Sequence, residues 1–288
     1  MAKKAKKLSK FIIFLIVCGA VIGSIIITAL GFEIAFLISD ANITCWRPEY
    51  AKTDLTQILD KPQLSEEDYE ILYAQTGLSK IGIDRALSRG SNGKERIKKI
   101  QEDFFAEHTI TKDKFAPFMC TDRIEKNVAH VYLEDGDIVV TSSTHLASCR
   151  IGHAGLVTNG ERGKVLQATE YGTLSKIGNF DYYTCRVNFI ILTPKTDKET
   201  KSKVADYAVN NLLGIPYDVT AGVLTDKNSI EKTQCAHLVW YAYKQFGIDI
   251  DGNGGLAVSP WNIANSDQLE VVQTFGFDPE ILWRRLNY

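Results

Sequence analysis

Twenty consecutive residues, Phe11 to Leu30, carry no charge, and this run divides the chain. At about 1.5 Å per residue, a helix of that length covers ~30 Å, the hydrocarbon thickness of a bilayer. The apolar character continues past Glu33 to Ile38, so residues 11–38 read as a transmembrane anchor. Lys3, Lys4, Lys6, Lys7 and Lys10 precede it without an acidic residue. By the positive-inside rule this basic tail, residues 1–10, stays cytoplasmic, and the rest of the chain is expected on the other side of the cell membrane. A cleaved signal peptide is the rival reading, with Ser39-Asp40-Ala41 the only tempting cleavage site, but the run is long for one.

Beyond Lys10, 28 basic residues face 35 acidic ones, a balance of −7. A mildly acidic body argues against nucleic-acid binding, which calls for a basic face. Residues 39–128 read as a helical linker or cap. Ser65 precedes Glu66, Glu67 and Asp68, an N-cap with first-turn acids, and Gly77 closes that helix. Ile97, Ile100, Phe104 and Phe105 mark another. No chemistry is evident there, which points to residues 129–288 as the catalytic domain.

Within that domain, Cys235, Leu238, Val239, Ala242 and Phe246 fall on one apolar helical face, ended by Gly247. With Thr233 as N-cap, Cys235 sits in the first turn, where unpaired N–H groups and the macrodipole favour a thiolate. The helix alone better suits a small buried hydrophobe on a core-facing helix, and it is the upstream histidine that shifts the reading. Upstream, Gly152 to Val157 reads as a buried strand carrying His153, followed by a turn at Asn159-Gly160-Glu161-Arg162-Gly163 and a second strand, Lys164 to Glu170. An antiparallel hairpin is expected to bring Glu170 beside His153, where a carboxylate would orient the imidazole and stabilise its protonated form.

The order His153, Glu170, Cys235 resembles the permuted branch of the NlpC-type papain-like cysteine amidases and peptidases, the YiiX/YebB-like proteins, in which histidine and acid precede cysteine. Asp135-Gly136-Asp137-Ile138-Val139, Gly214-Ile215-Pro216-Tyr217-Asp218 and Ser259-Pro260-Trp261-Asn262-Ile263 fall in register with that resemblance, over about residues 130 to 275. Ala236 departs from it, since serine commonly follows the nucleophile, and so does His237. The resemblance implies an α+β, circularly permuted papain-like domain with an antiparallel sheet packed on the nucleophile helix. It implies a catalytic set of Cys235, His153 and Glu170, with Tyr217 and Gln234 serving the oxyanion or the substrate. Tyr217 reads equally well as a turn residue after Pro216.

The implied activity is amide hydrolysis outside the cytoplasm, without a cofactor, on cell-wall peptides. A lipid or N-acyl amidase or acyltransferase of the same fold is the alternative, and an inactive binding module the second alternative. Of the remaining cysteines, Cys45, Cys120, Cys149 and Cys185 form an even set suited to an oxidising exterior. The preferred pairings are Cys149 with Cys185 and Cys45 with Cys120, the alternative being four free thiols. His145, Cys149 and His153, each four apart, raise a metal-site reading, but no fourth ligand has the spacing for a closed zinc site, so no metal is expected.

Overall fold

The computed structural model describes residues 10–41, 43–116, 119–146, 149–222 and 224–283. The expected cytoplasmic lysines up to Lys7 lie outside these residues. The first helix, α1 (Lys10–Ala41), contains a stretch, Lys10–Ala35, with mean hydropathy 2.8 and no part buried. Its length and composition are enough to cross a membrane.

A helical cap follows, comprising α2 (Thr56–Leu59), α3 (Glu66–Thr76), α4 (Lys80–Leu87) and α5 (Ser91–Phe105). The start of α3 follows from its sequence. Ser65 accepts from the Asp68 N–H while the Asp68 carboxylate accepts from the Ser65 N–H, and Gly77 ends the helix in the left-handed region at φ 69°. The strands β1 (Ile110–Ala116) and β2 (Met119–Ile124) come next, in a region expected to be helical. Thr111-Lys112-Asp113-Lys114 has no apolar alternation, so this strand is invisible to periodicity.

The rest of the chain supplies β3 (Ile138–Thr141), β4 (Thr144–Leu146), β5 (Cys149–Arg150), β6 (His153–Asn159), β7 (Lys164–Gln167), β8 (Lys176–Asn179), α6 (Asp181–Thr184), β9 (Phe189–Pro194), α7 (Lys198–Asn211), α8 (Cys235–Lys244), α9 (Pro260–Ala264) and β10 (Leu269–Phe275). Six strands form one antiparallel sheet in the order β10-β9-β3-β6-β7-β8, and four form a second in the order β1-β2-β4-β5. The fold is mixed α+β.

The six-stranded sheet is the middle of three layers. Val139, Val157, Val165, Phe189 and Ile191 face the cap, where they meet Leu72, Ile83, Ile97 and Ile100. Their alternate neighbours Val140, Ala154, Leu156, Leu166 and Ile190 face Leu238, Val239 and Ala242 of α8 and Val204 and Ala208 of α7. Burial on both faces explains why Ile138-Val139-Val140 and Phe189-Ile190-Ile191-Leu192 are apolar without alternation. The cap is joined to the sheet through its last strand. Thr274 N–H donates to the Gly77 carbonyl at 2.8 Å and Ser79 N–H to the Val272 carbonyl at 3.1 Å, while Trp46 N–H reaches the Gly276 carbonyl at 3.4 Å. Across the other end of the cap, the Arg85 guanidinium grips the fully buried Asp137 carboxylate through both nitrogens, at 2.5 and 3.0 Å.

All six cysteines among the described residues are free thiols, which corrects both expected disulfides. Cys149 is exposed on β5, whereas Cys185 is buried after α6 and takes a hydrogen bond from Arg123 at 3.2 Å. Cys45 packs against the cap-side core, and Cys120 is buried on β2 opposite His145.

Candidate active site

The thiol owes its position to the start of α8. The N-cap is Gln234, one residue later than the expected Thr233: its side-chain oxygen accepts from Ala236 N–H at 2.8 Å, leaving Cys235 as the first helical residue. The Gln234 amide nitrogen donates to the Val258 carbonyl at 2.5 Å, so this side chain ties the turn carrying Cys235 to the loop before α9. The Cys235 Sγ–H points to Gln234 Oε1 at 3.5 Å. Three backbone N–H groups, those of Ala154, Ala236 and Cys235 itself, favour the thiolate, but burial outweighs them and pushes the thiol up to about 11.

Ala154 directly follows His153, so the thiol lies at the end of the sheet where β6 begins and β7 has ended. His153 is almost wholly buried, and its Nε2 faces Gln167 Oε1 at 3.1 Å. The same oxygen accepts from the Tyr183 hydroxyl at 3.2 Å. An amide oxygen that accepts from both groups requires the proton on His153 Nε2 and leaves Nδ1 unprotonated. The Tyr183 ring stacks on His153 at 5.7 Å and the Tyr182 ring meets it edge-on at 5.5 Å. Burial, with the nearby Arg186 guanidinium adding to it, pushes the imidazole down to about 4. Both shifts favour the neutral thiol and the neutral imidazole near pH 7.

Glu170 is not the partner of His153. The register pairs Leu156 with Leu166, so residues on the His153 face of β7 are odd-numbered, and Glu170 would fall on the opposite face even in a longer strand. Strand β7 stops at Gln167, and Glu170 is exposed in the turn that follows, where its carbonyl accepts from Thr173. Gln167 holds the diagonal position across the strand pair. One step along the hairpin from the Leu156–Leu166 pair would have found it, had the register been known.

Tyr217 forms an isolated bridge to Thr233, just before α8, with its hydroxyl raised by burial and by its nearness to Cys235. Arg186, 3 % exposed, stacks on Tyr182 at 4.0 Å, and its Nη1 has no hydrogen-bond partner among the described residues. His237 is a core residue: it is held between the Thr233 hydroxyl at 3.0 Å and the Lys227 carbonyl at 2.8 Å, against the Trp240 ring. Its position two residues after Cys235 thus has a packing role.

The metal reading through His145, Cys149 and His153 does not survive the register. Leu146 pairs with Cys149 and His145 with Arg150, which puts Cys149 on the face opposite His145. His145 instead meets Cys120 and Asp122, ligand-type atoms all within 4.8 Å of one another. There the Asp122 carboxylate is already held by His145 at 3.2 Å and by the Arg150 guanidinium. A guanidinium on the same carboxylate opposes a divalent cation, and the pair lowers the Asp122 pKa against the cost of burial.

No family model matches the chain, and no solved structure matches it. An uncharacterised protein of Bacillus subtilis (strain 168), YycO, is similar to it, with 28 % identity over 140 residues that cover 48 % of this chain and 55 % of YycO. The chain thus spans about half the length of that relative, and what can be said of its chemistry rests on the geometry around Cys235.

Proposed function

We propose that the protein is a membrane-anchored cysteine hydrolase of the permuted papain-like type, with its catalytic domain outside the cytoplasm and amide bonds of cell-wall peptides as its substrates. The observation that carries this reading is Cys235 at the first position of a helix, beside Ala154 N–H, with the neighbouring His153 fixed by Gln167 in the tautomer whose Nδ1 is free. In the proposed reaction, Cys235 Sγ attacks the amide carbonyl as its proton passes to His153 Nδ1. The carbonyl oxygen takes up negative charge beside the N–H groups of Cys235 and Ala154 and the Tyr217 hydroxyl. As the C–N bond breaks, the imidazolium returns the proton to the leaving amine, and a thioester remains. Water then attacks the thioester with His153 as base, releasing the acid and the thiol.

A lipid or N-acyl amide substrate is the second reading, favoured by the exposed apolar side chains Leu224 and Leu256 on loops beside the site. Incubating the full chain with peptidoglycan fragments and, separately, with N-acyl lipids tests both readings. Release of new amines by the protein but not by Cys235→Ala supports the hydrolase. Equal turnover by both refutes Cys235 as nucleophile, and no turnover of either substrate favours an inactive binding module.

A further inference from the structure

The end of the sheet that holds the thiol is also the end that is tied to the membrane helix. Registers Thr141 with His153, Val140 with Ile190 and Phe189 with Phe275 place the end of β3, the start of β6, the start of β9 and the end of β10 together. Trp46, just after α1, hydrogen-bonds to Gly276 at this same end. The helix α1 ends at Ala41, so residues 42–45 are all that lies between, a reach of at most about 15 Å. Within the last two turns of that helix, Ala35 packs against Cys120 of β2. A domain on so short a tether presents one end to the bilayer, and it is the catalytic end.

That end is also where apolar surface is exposed. Outside α1, the large apolar side chains of the described residues that are more than half exposed are Tyr171, Leu174, Val219, Leu224 and Leu256, at 85, 53, 65, 79 and 81 %. All five lie on three loops: the one after β7, the one before α8 and the one before α9. These loops are linked to each other and to the site. Tyr217 N–H donates to the Thr173 carbonyl, Leu174 bridges to Pro216, and Gln234 holds Val258. Single exposed apolar residues are ordinary on a soluble surface, but a set confined to one end of a domain is not.

We infer that these three loops dock on the surface of the bilayer that holds α1, seating the apolar side chains at the headgroup boundary and facing the Cys235 site toward the membrane. A substrate reached this way is membrane-borne, a corollary that rests on the hydrolase reading; the docking itself does not. In water the five side chains would stay solvated at a cost, and at the boundary their apolar area is covered.

The test uses the full chain in vesicles of phosphatidylcholine and phosphatidylglycerol carrying doxyl-labelled acyl chains. In a Cys149→Ser background, bimane is attached at Leu224→Cys, at Leu256→Cys or at Glu95→Cys on the cap, and the background protein's own labelling is subtracted. Docking at a depth of ~5–10 Å predicts that the two loop positions lose about half of their emission or more to the doxyl groups, while the cap position loses little. Serine at the other four apolar positions should restore most of that emission. Equal quenching at loops and cap, or full quenching of the loop labels by aqueous iodide, overturns the inference. Assaying turnover by the wild-type protein alongside quenching separates the two readings: quenching without turnover leaves docking standing and the hydrolase refuted, and turnover that Cys235→Ala abolishes, without quenching, does the reverse.

Discussion

Replacing Gln167 by glutamate tests which residue governs His153. The wild-type imidazole, buried against a neutral amide, titrates at about 4, and the thiol at about 11. A carboxylate at Gln167 would lie ~4 Å from the ring, where an effective dielectric constant of ~20 gives about 4 kcal/mol of attraction, or about three pKa units. The imidazolium would then persist up to about pH 7, and the thiolate–imidazolium form would grow by about a thousandfold at most. Repulsion between the new carboxylate and the thiolate, and the cost of burying Glu itself, take back part of this. We expect Gln167→Glu to raise the rate of iodoacetamide alkylation of Cys235 at pH 7 by at least about tenfold, read by mass spectrometry of the Cys235 peptide. The sign for turnover is opposite at low pH. A base that must be unprotonated works above its pKa, so the acid limb should move from about 4 in the wild type toward ~7 in the variant. Glu170→Gln should leave both profiles unchanged. If Glu170→Gln slows alkylation while Gln167→Glu behaves as wild type, the assignment of Gln167 is wrong.

Three further outcomes follow from packing and bonding. Arg85→Ala leaves the Asp137 carboxylate buried without its bidentate partner, and should lower stability by about 3–5 kcal/mol in urea melts; a loss under 1 kcal/mol would mean water reaches Asp137. Gly155→Ala places a methyl 2.3 Å from the Tyr183 hydroxyl and 2.5 Å from Val165 Cγ1, so Tyr183 must move off His153 and Gln167. A loss of about 1–3 kcal/mol, together with a fall in turnover larger than the stability loss explains, is expected; unchanged turnover would show that Tyr183 does not hold the site. Alkylation of the unfolded, unreduced protein should modify all six cysteines, and a mass short by a pair of adducts would restore a disulfide.

How far the residues revealed this site depends on the range of each interaction. The α8 face, the α3 boundaries and the His153 strand are local patterns with a fixed period, and the structure has each close to where the spacing places it. The cap of α8 shifted by one residue because a glutamine side chain, rarely counted among cap formers, reaches the Ala236 N–H. Gln167 was hidden for a different reason. Which residue opposes His153 depends on the register of the hairpin, and a one-residue error there exchanges the two faces of the sheet, which is how Glu170 came to be expected. The strands at 110–124 were hidden because β1 carries the charges of an exposed sheet edge, while β2 buries the polar residues Thr121 and Asp122 and so shows no apolar alternation.

The bonds from Trp46, Gly77 and Ser79 to Gly276, Thr274 and Val272 also bear on how the chain folds as it is made. Each joins parts of the chain about two hundred residues apart, and the strand on the later side is the last in the sequence. The cap helices can form early, but the edge they pair with emerges from the ribosome only after all of the sheet's other strands. Loop closure over such separations is slow, and the apolar faces of α3 and α5 stay uncovered in the meantime. The folding of this protein should therefore be limited by the arrival of β10, and truncations that remove it should leave the earlier segments soluble only with help from chaperones.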